Sequence, residues 1–536
     1  MQGEFRGDFT RDTFYSFKHF SRVLMQQGRV HLDADWNEQT SILLRYLQAL
    51  ASDLIGPHGG PVDLVGGGFS SFEISSDTAL TNDFVIGAGH YYVEGILCEL
   101  ASTPVPIMIE GSEVKVAAWR VDGYDLVEGQ YVQVSASNPA NPPKPVIAKI
   151  TGISAERTLT LDSGSLNAFS PKTRPVLRRI ATYRTQPDLP IPLELVPGSS
   201  LVYLDVWERH ITCIEDDRIR EAALGGPDTA TRAKIVWQVK TDPNFNVCPG
   251  DPVAWADFLD KHQPRNRGWL KARAKQNSIS TDPCIILPES SYRGAENQLY
   301  RVEIHTGTSP TDNNPTFKWS RDNSSFEFPI KSFEGPVATL AYLWRDSRSA
   351  LNVNDWVEIV DDSIALLGTP GVLTQVDSVG DPSSMTVTLR RPLTGVDNLR
   401  HPLLRRWDYH DGSPTAGQPT LGPDGALNLQ EGTWLELEDG VQVKFESGLP
   451  ANQYRTGDYW LIPARTATGD VEWPEERHAG RAPVQDENGN PVPAAVPPHG
   501  IEHHYAPLCI LSVAGGAVTV VTPDCRKPFK TVVNLA

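Results

Sequence analysis

The chain has 536 residues, a formal charge of −18, 40% apolar and 21% charged residues, which is the make-up of a soluble globular protein of several domains. The acidic balance excludes nucleic acid as the main partner, because phosphate binding needs a basic footprint. No run of ~18 apolar residues offers a membrane span. The 43 glycines and 43 prolines exceed their ordinary share and imply many turns, hence many short strands.

The first residues, Met1 to Asp8, lack the basic and apolar regions of a signal peptide, so cytoplasmic synthesis and assembly are expected. One helix is predicted in the segment 1–60. Asp35 and Glu38 have capping-box spacing, and Ile55-Gly56-Pro57 forms a stop. Between them Trp36, Leu43, Leu47, Leu50 and Leu54 recur at intervals of 7, 4, 3 and 4 and share one face. That amphipathic face reads either as a core helix under a β-domain or as a docking seam of coiled-coil type for a neighbouring subunit.

Beyond the glycine-rich stretches 59–61 and 66–68 the pattern becomes one of short apolar runs between turns. Val202, Leu204 and Val206 alternate with Tyr203, Asp205 and Trp207, and Val441–Phe445 is a second strand. A short helix is predicted near Trp255–Leu259. The fold class is mainly β: a multi-domain chain of small antiparallel β-barrel or sandwich modules with one N-terminal amphipathic helix.

An internal repeat divides the chain further. Trp119-Arg120, Leu126 and Tyr131-Val132-Gln133-Val134 match Trp344-Arg345, Leu351 and Trp356-Val357-Glu358-Ile359. Ile150 and Ile153 match Val376 and Val379, and Thr158–Leu161 matches Thr386–Leu389. The spacing predicts a docking segment at 1–60, a β hairpin region at 61–110 and a first small module at 111–175. A central β-rich domain at 176–333, a second module at 334–400 and a C-terminal β-rich domain at 401–536 complete the division. Glu431–Leu437 echoes Glu128–Val134 as a third copy. The stretches 138–145 and 488–498 read as exposed loops.

The six cysteines (Cys98, Cys213, Cys248, Cys284, Cys509, Cys525) are widely spaced and read as reduced, buried thiols. His499, His503 and His504, with Glu502, are the candidate metal ligands, although no established ligand spacing is present. Glu215-Asp216-Asp217 is an acidic turn, read as solvated. Arg6-Gly7-Asp8 spells an adhesion tripeptide that three residues match by chance. No phosphate loop and no nucleophile elbow occurs. No catalytic residue and no cofactor is therefore expected, and an enzyme is not.

Several phrases carry a resemblance: Gly7–Phe14, His19–Val30, Leu32–Gln39, Glu221–Thr229, Phe317–Asn323 and Gly457–Arg465. The chain resembles an uncharacterised bacterial family encoded beside baseplate-assembly proteins of phage-tail-like contractile injection systems. Ile86–Ile96 is similar to a strand–turn–strand piece of tail-fibre and baseplate proteins. The resemblance implies a structural subunit at the baseplate, peripheral or cage-like, in a particle that is released or membrane-attached. The implied partners are other subunits of that particle (baseplate, spike or sheath-end proteins) and copies of the chain itself. A tail-fibre-like receptor- or glycan-binding protein is the alternative.

Overall fold

The computed structural model describes residues 3–63, 68–111, 113–137, 143–154, 157–162, 164–245, 248, 252–275, 291–309, 314–342, 349–381, 383–392, 399–412, 417–448, 450–478, 482–521 and 524–530. Cys284, Gly66-Gly67, Trp344-Arg345 and the stretch 138–142 lie outside them. The fold is mainly β. The chain forms two compact units, each assembled from separate stretches of sequence. The first unit comprises Met1–Leu44, Glu208–Lys234 and Gln263–Glu502, and the second Arg45–Trp207, Ile235–His262 and His503–Ala536. The expected blocks 1–60, 176–333 and 401–536 are each divided between the units, because long-range strand pairing groups segments that sequence order separates.

The repeat corresponds to two closed six-stranded barrels. In the second unit the barrel runs Tyr131–Ala136, Val146–Ser154, Thr158–Leu161, Glu113–Val116, Val105–Glu110 and Pro175–Arg179. In the first unit Trp356–Val360, Val372–Val379, Thr386–Leu389, Val337–Leu340, Glu327–Glu334 and Leu403–Trp407 close in the same order. Equivalent positions make equivalent bonds. The N–H groups of Gly129 and Asn354, both at positive φ, donate to the carbonyls of Ile150 and Val376, each at 2.8 Å. Both barrels break register at the same point, between Ile150 and Gly152 and between Val376 and Ser378. A bulge there sharpens the strand bend that closure of so small a barrel needs. Val132, Val134, Ile150, Leu159 and Leu161 fill one interior, and Val357, Ile359, Val376, Val387 and Leu389 the other. The third echo lies in no barrel: Leu435–Glu436 is a two-residue edge beside Val441–Glu446, whose other neighbour is Trp269–Ala274.

The rest of the second unit is built on strand Gly198–Ile211, whose residues 198–206 pair with 513–504. Val202, Leu204 and Val206 enter its main core, while Tyr203 packs with Phe258 of a second helix on the other face. That helix, Pro252–His262, covers the predicted Trp255–Leu259. Cys248 and Cys525, 277 residues apart, form a disulfide with Cα atoms 5.4 Å apart. This corrects the expectation of reduced thiols throughout: spacing along the chain says nothing about proximity in a fold of long-range pairings. Cys98, Cys213 and Cys509 are free and buried. No helix among the described residues is long and apolar enough to cross a membrane.

Candidate functional site

The first helix, α1, spans Asp33–Ile55 and so begins two residues before the expected cap. Asp35 is inside it. Asp33 instead accepts from the backbone and hydroxyl of Thr10 (3.0 and 2.6 Å), and Glu38 accepts from Thr13 (2.6 Å), so the capping box is replaced by contacts to the preceding stretch of chain. The stop is as the residues suggest: Gly56 takes φ +95 and its N–H closes on Ser52, before Pro57.

The helix buries only Ala34 and Ile42. Trp36 (77% exposed), Leu43 (54%), Leu47 (64%), Leu50 (57%) and Leu54 (78%) lie open, and at 100° per residue they fall within one narrow stripe. Leu44 and Tyr46 flank them, also exposed. The core-helix reading of this face is thereby set aside: among the described residues nothing covers it. An apolar stripe of this length is the usual mark of a protein interface. Covering five such side chains would contribute on the order of 5–10 kcal/mol at ~1.5–3 kcal/mol each for full burial, less what is already shielded.

The three candidate histidines do not converge. His503 Nδ1 meets Asp205 at 2.6 Å, His504 Nδ1 meets Glu94 at 2.8 Å, and His499 packs its ring on Tyr459. Asp205 is buried, but the charges of His503 and Lys240 (2.7 Å) overcome that burial and keep its carboxyl below the ordinary range. Among the described residues no group of three or more His, Cys, Asp or Glu is placed to hold a metal ion. In the acidic turn Glu215 accepts from Thr212, Asp216 pairs with Arg218 and Asp217 with Arg220. Arg6 and Gly7 are buried, so the tripeptide is not displayed.

Arg6 leads to the feature that sequence reading missed. The segment Gly3–Phe9 lies in a groove of the first unit and is gripped by its backbone. Tyr459 donates its hydroxyl to the Gly3 carbonyl (2.7 Å), and Arg301 Nη1 donates to that of Phe5 (3.1 Å). The Asn323 amide donates to the carbonyls of Phe5 (3.2 Å) and Gly7 (2.9 Å), and the Arg6 N–H donates to His210 Nδ1 (3.4 Å). The Arg6 guanidinium meets Glu303 at 2.7 and 2.9 Å and Glu4 at 2.6 Å. Glu303 is shared with Arg301 (2.6 Å) and Lys318 (3.4 Å), and Lys318 reaches Glu358 at 2.6 Å. Trp407 donates its indole N–H to Glu358 (3.0 Å). Burial alone would neutralise Glu303. Arg6, Arg301 and Lys318 outweigh it and hold the carboxyl well below the ordinary value. Glu358 is likewise penalised by burial and pulled by Lys318, His305 and Arg405 to about 2. His210 is driven down to about 3 by burial, so it stays neutral.

A small recess opens beside the segment, lined by Glu4, Arg6, Arg209, Asp362, His401 and Arg405. Arg209 bonds Asp362 (2.7 Å), and His401 holds the other oxygen of that carboxylate (2.8 Å). Glu303 and Glu358 are both tied to cations, and through Glu303 the network holds Arg6 of the segment. A signal for it is present in the sequence but points the wrong way. Arg301, Glu303 and His305 alternate with Val302 and Ile304 as a solvent-facing edge would, yet strand Gln298–Thr306 is buried on both faces.

No curated protein and no solved structure matches the chain. A family model of unknown function, DUF6519, matches residues 5–106, 192–244 and 260–530. These stretches include the Gly3–Phe9 segment from Phe5 onward, all of α1, Asn323 and Tyr459. The barrel of the second unit falls almost wholly in the unmatched interval 107–191, and Cys248 in a second one, 245–259. Since the match runs over most of its length, the chain belongs to the DUF6519 family.

Proposed function

We propose that the chain is a structural subunit associated with the baseplate, peripheral or cage-like, of an extracellular contractile injection system or a related phage-tail-like particle. The observation that carries this reading is the open apolar stripe Trp36, Leu43, Leu47, Leu50 and Leu54 on α1. Its intervals of 7, 4, 3 and 4 suit a partner that offers an apolar helix in coiled-coil packing. The resemblance of the phrases around this helix to a family encoded beside baseplate proteins supplies the identity of the particle. Two small closed barrels on one chain suit a part that supplies reach and contact surface, and barrels leave no free sheet edges for unwanted pairing.

The test is Leu47→Asp. Leu47 is exposed, so the substitution leaves folding intact, which circular dichroism checks. Purified particles are then probed for the subunit. The variant is expected to be absent from them. A folded Leu47→Asp chain that still co-purifies refutes docking through α1. Electron microscopy of particles from cells lacking the gene is expected to show density missing at the baseplate, with sheath and tube intact.

A further inference from the structure

The groove that holds Gly3–Phe9 has the properties of a peptide-binding site. Three of its grips are side chains closing on main-chain carbonyls, from Tyr459, Arg301 and Asn323, and a fourth is the ionic pocket of Glu303 for one arginine. The rings of Phe5 and Phe9 stand edge-on to His210 at 6.0 and 6.5 Å. Extended peptides are recognised in this way, with backbone bonds giving affinity and a side-chain pocket giving specificity.

Beyond Phe9 the chain changes in kind. From Asp8 to Asp33 no residue is buried, and Tyr15, Phe17, Phe20, Leu24, Met25, Val30 and Leu32 are exposed apolar groups along the way. At its start this arm is tied to the first unit by Arg465, which donates to the Thr10 carbonyl (3.1 Å), and by Arg11, which meets Glu472 (3.1 Å); farther on it touches α1 through polar contacts, Thr13 to Glu38 and Val23 to Gln39. At ~3.3 Å per residue such an arm spans up to about 80 Å when extended. A buried, specifically gripped segment on a long arm that has no core of its own is the layout of an exchangeable element.

We infer that Gly3–Phe9 is a latch that one copy of the chain gives to the groove of a second copy, with the site empty of its own segment when it receives another's. The inference extends the assembly reading but stands on different residues, and its test reads the groove without involving the α1 stripe.

A site-specific protease sequence replaces Gln26–Arg29 in the full chain, and the purified protein is cut there. A fluorescent peptide of residues 3–12 is added to the cut protein. Saturable binding that displaces the cut fragment is expected, and an Arg6→Glu peptide should bind at least tenfold more weakly. Cut protein carrying a tag is also mixed with uncut, untagged chain. Retention of the uncut chain on the tag resin, lost with Arg6→Glu in the uncut chain, is expected. If the peptide never enters, if both peptides bind alike, or if the cut protein unfolds as the fragment leaves, the segment is an ordinary core strand and the inference fails. Peptide binding without retention of the uncut chain overturns the link between copies.

Discussion

Lys318 is the residue on which the buried network turns. It is 3% exposed, 2.6 Å from Glu358, 3.4 Å from Glu303, and 4.5 Å over the Trp407 ring. Lys318→Met keeps most of the side-chain volume and removes the charge. Glu303 still has Arg6 and Arg301. Glu358 keeps the Trp407 indole (3.0 Å), the Gly371 N–H (3.1 Å), His305 at 3.8 Å and Arg405 at 4.0 Å, but loses the one cation at hydrogen-bond distance. Breaking a buried pair from one side costs about 3–5 kcal/mol, since the surviving charge is left without compensation. At about 2–4 °C per kcal/mol, the first unit should melt roughly 6–20 °C lower in scanning calorimetry at pH 7. The pH effect has a definite sign. In the wild type the Glu358 carboxyl sits at about 2, below its ordinary 4.5, so its contribution is present above pH 4.5 and fades as pH falls toward 2. In the variant burial dominates and the carboxyl rises, so the gap to wild type narrows as pH drops. Lys318→Met with Glu358→Gln should recover much of the loss. A single variant melting within about 2 °C of wild type, less than 1 kcal/mol would give, or a double variant no better than the single, refutes the reasoning.

Three further outcomes are expected. Burial drives His58 and His305 to about 4 and His210 to about 3, against 6.5 in the unfolded chain. Their contribution is whole above pH 6.5 and is lost as pH falls, on the order of 3 kcal/mol each for His58 and His305 by pH 4. Denaturant midpoints measured from pH 7 to 4.5 should fall steadily, and a flat profile contradicts the neutral assignment. Cys525→Ser, or reduction, should lower the stability of the second unit by about 2–4 kcal/mol, read as a melting shift present in oxidised protein and absent with dithiothreitol. A Cβ at Gly95, at φ +81 in the turn after Gly89–Val93, would run into the Gln48 carbonyl of α1, whereas one at Gly129, at φ +86, would meet open space. Gly95→Ala should therefore cost clearly more than the ~1 kcal/mol of backbone strain expected for Gly129→Ala, by urea denaturation. Equal losses would mean that the close approach is unimportant.

The short-range features were legible because they depend on near neighbours in the chain. The period of α1, its Gly56-Pro57 stop and the strands at 202–207 and 441–445 arise from side-chain spacing and backbone preference alone. The two barrels were legible for a related reason. A repeat compares the sequence with itself, so matched spacings at 131–134 and 356–359 reveal equal structures without any knowledge of their fold. Nothing local marks which distant residues meet. Cys248 and Cys525, Arg6 and Glu303, and Asn323 and Gly7 are joined only because long-range pairings place their strands together. Alternation along Gln298–Thr306 even points the wrong way, since charges repeating every second residue ordinarily face water. Here Arg6, Lys318 and their partners neutralise them, and a strand that looks half-exposed is buried on both sides. The stripe on α1 shows the converse: its pattern states which residues share a face, and only the tertiary structure decides that the described chain leaves that face uncovered.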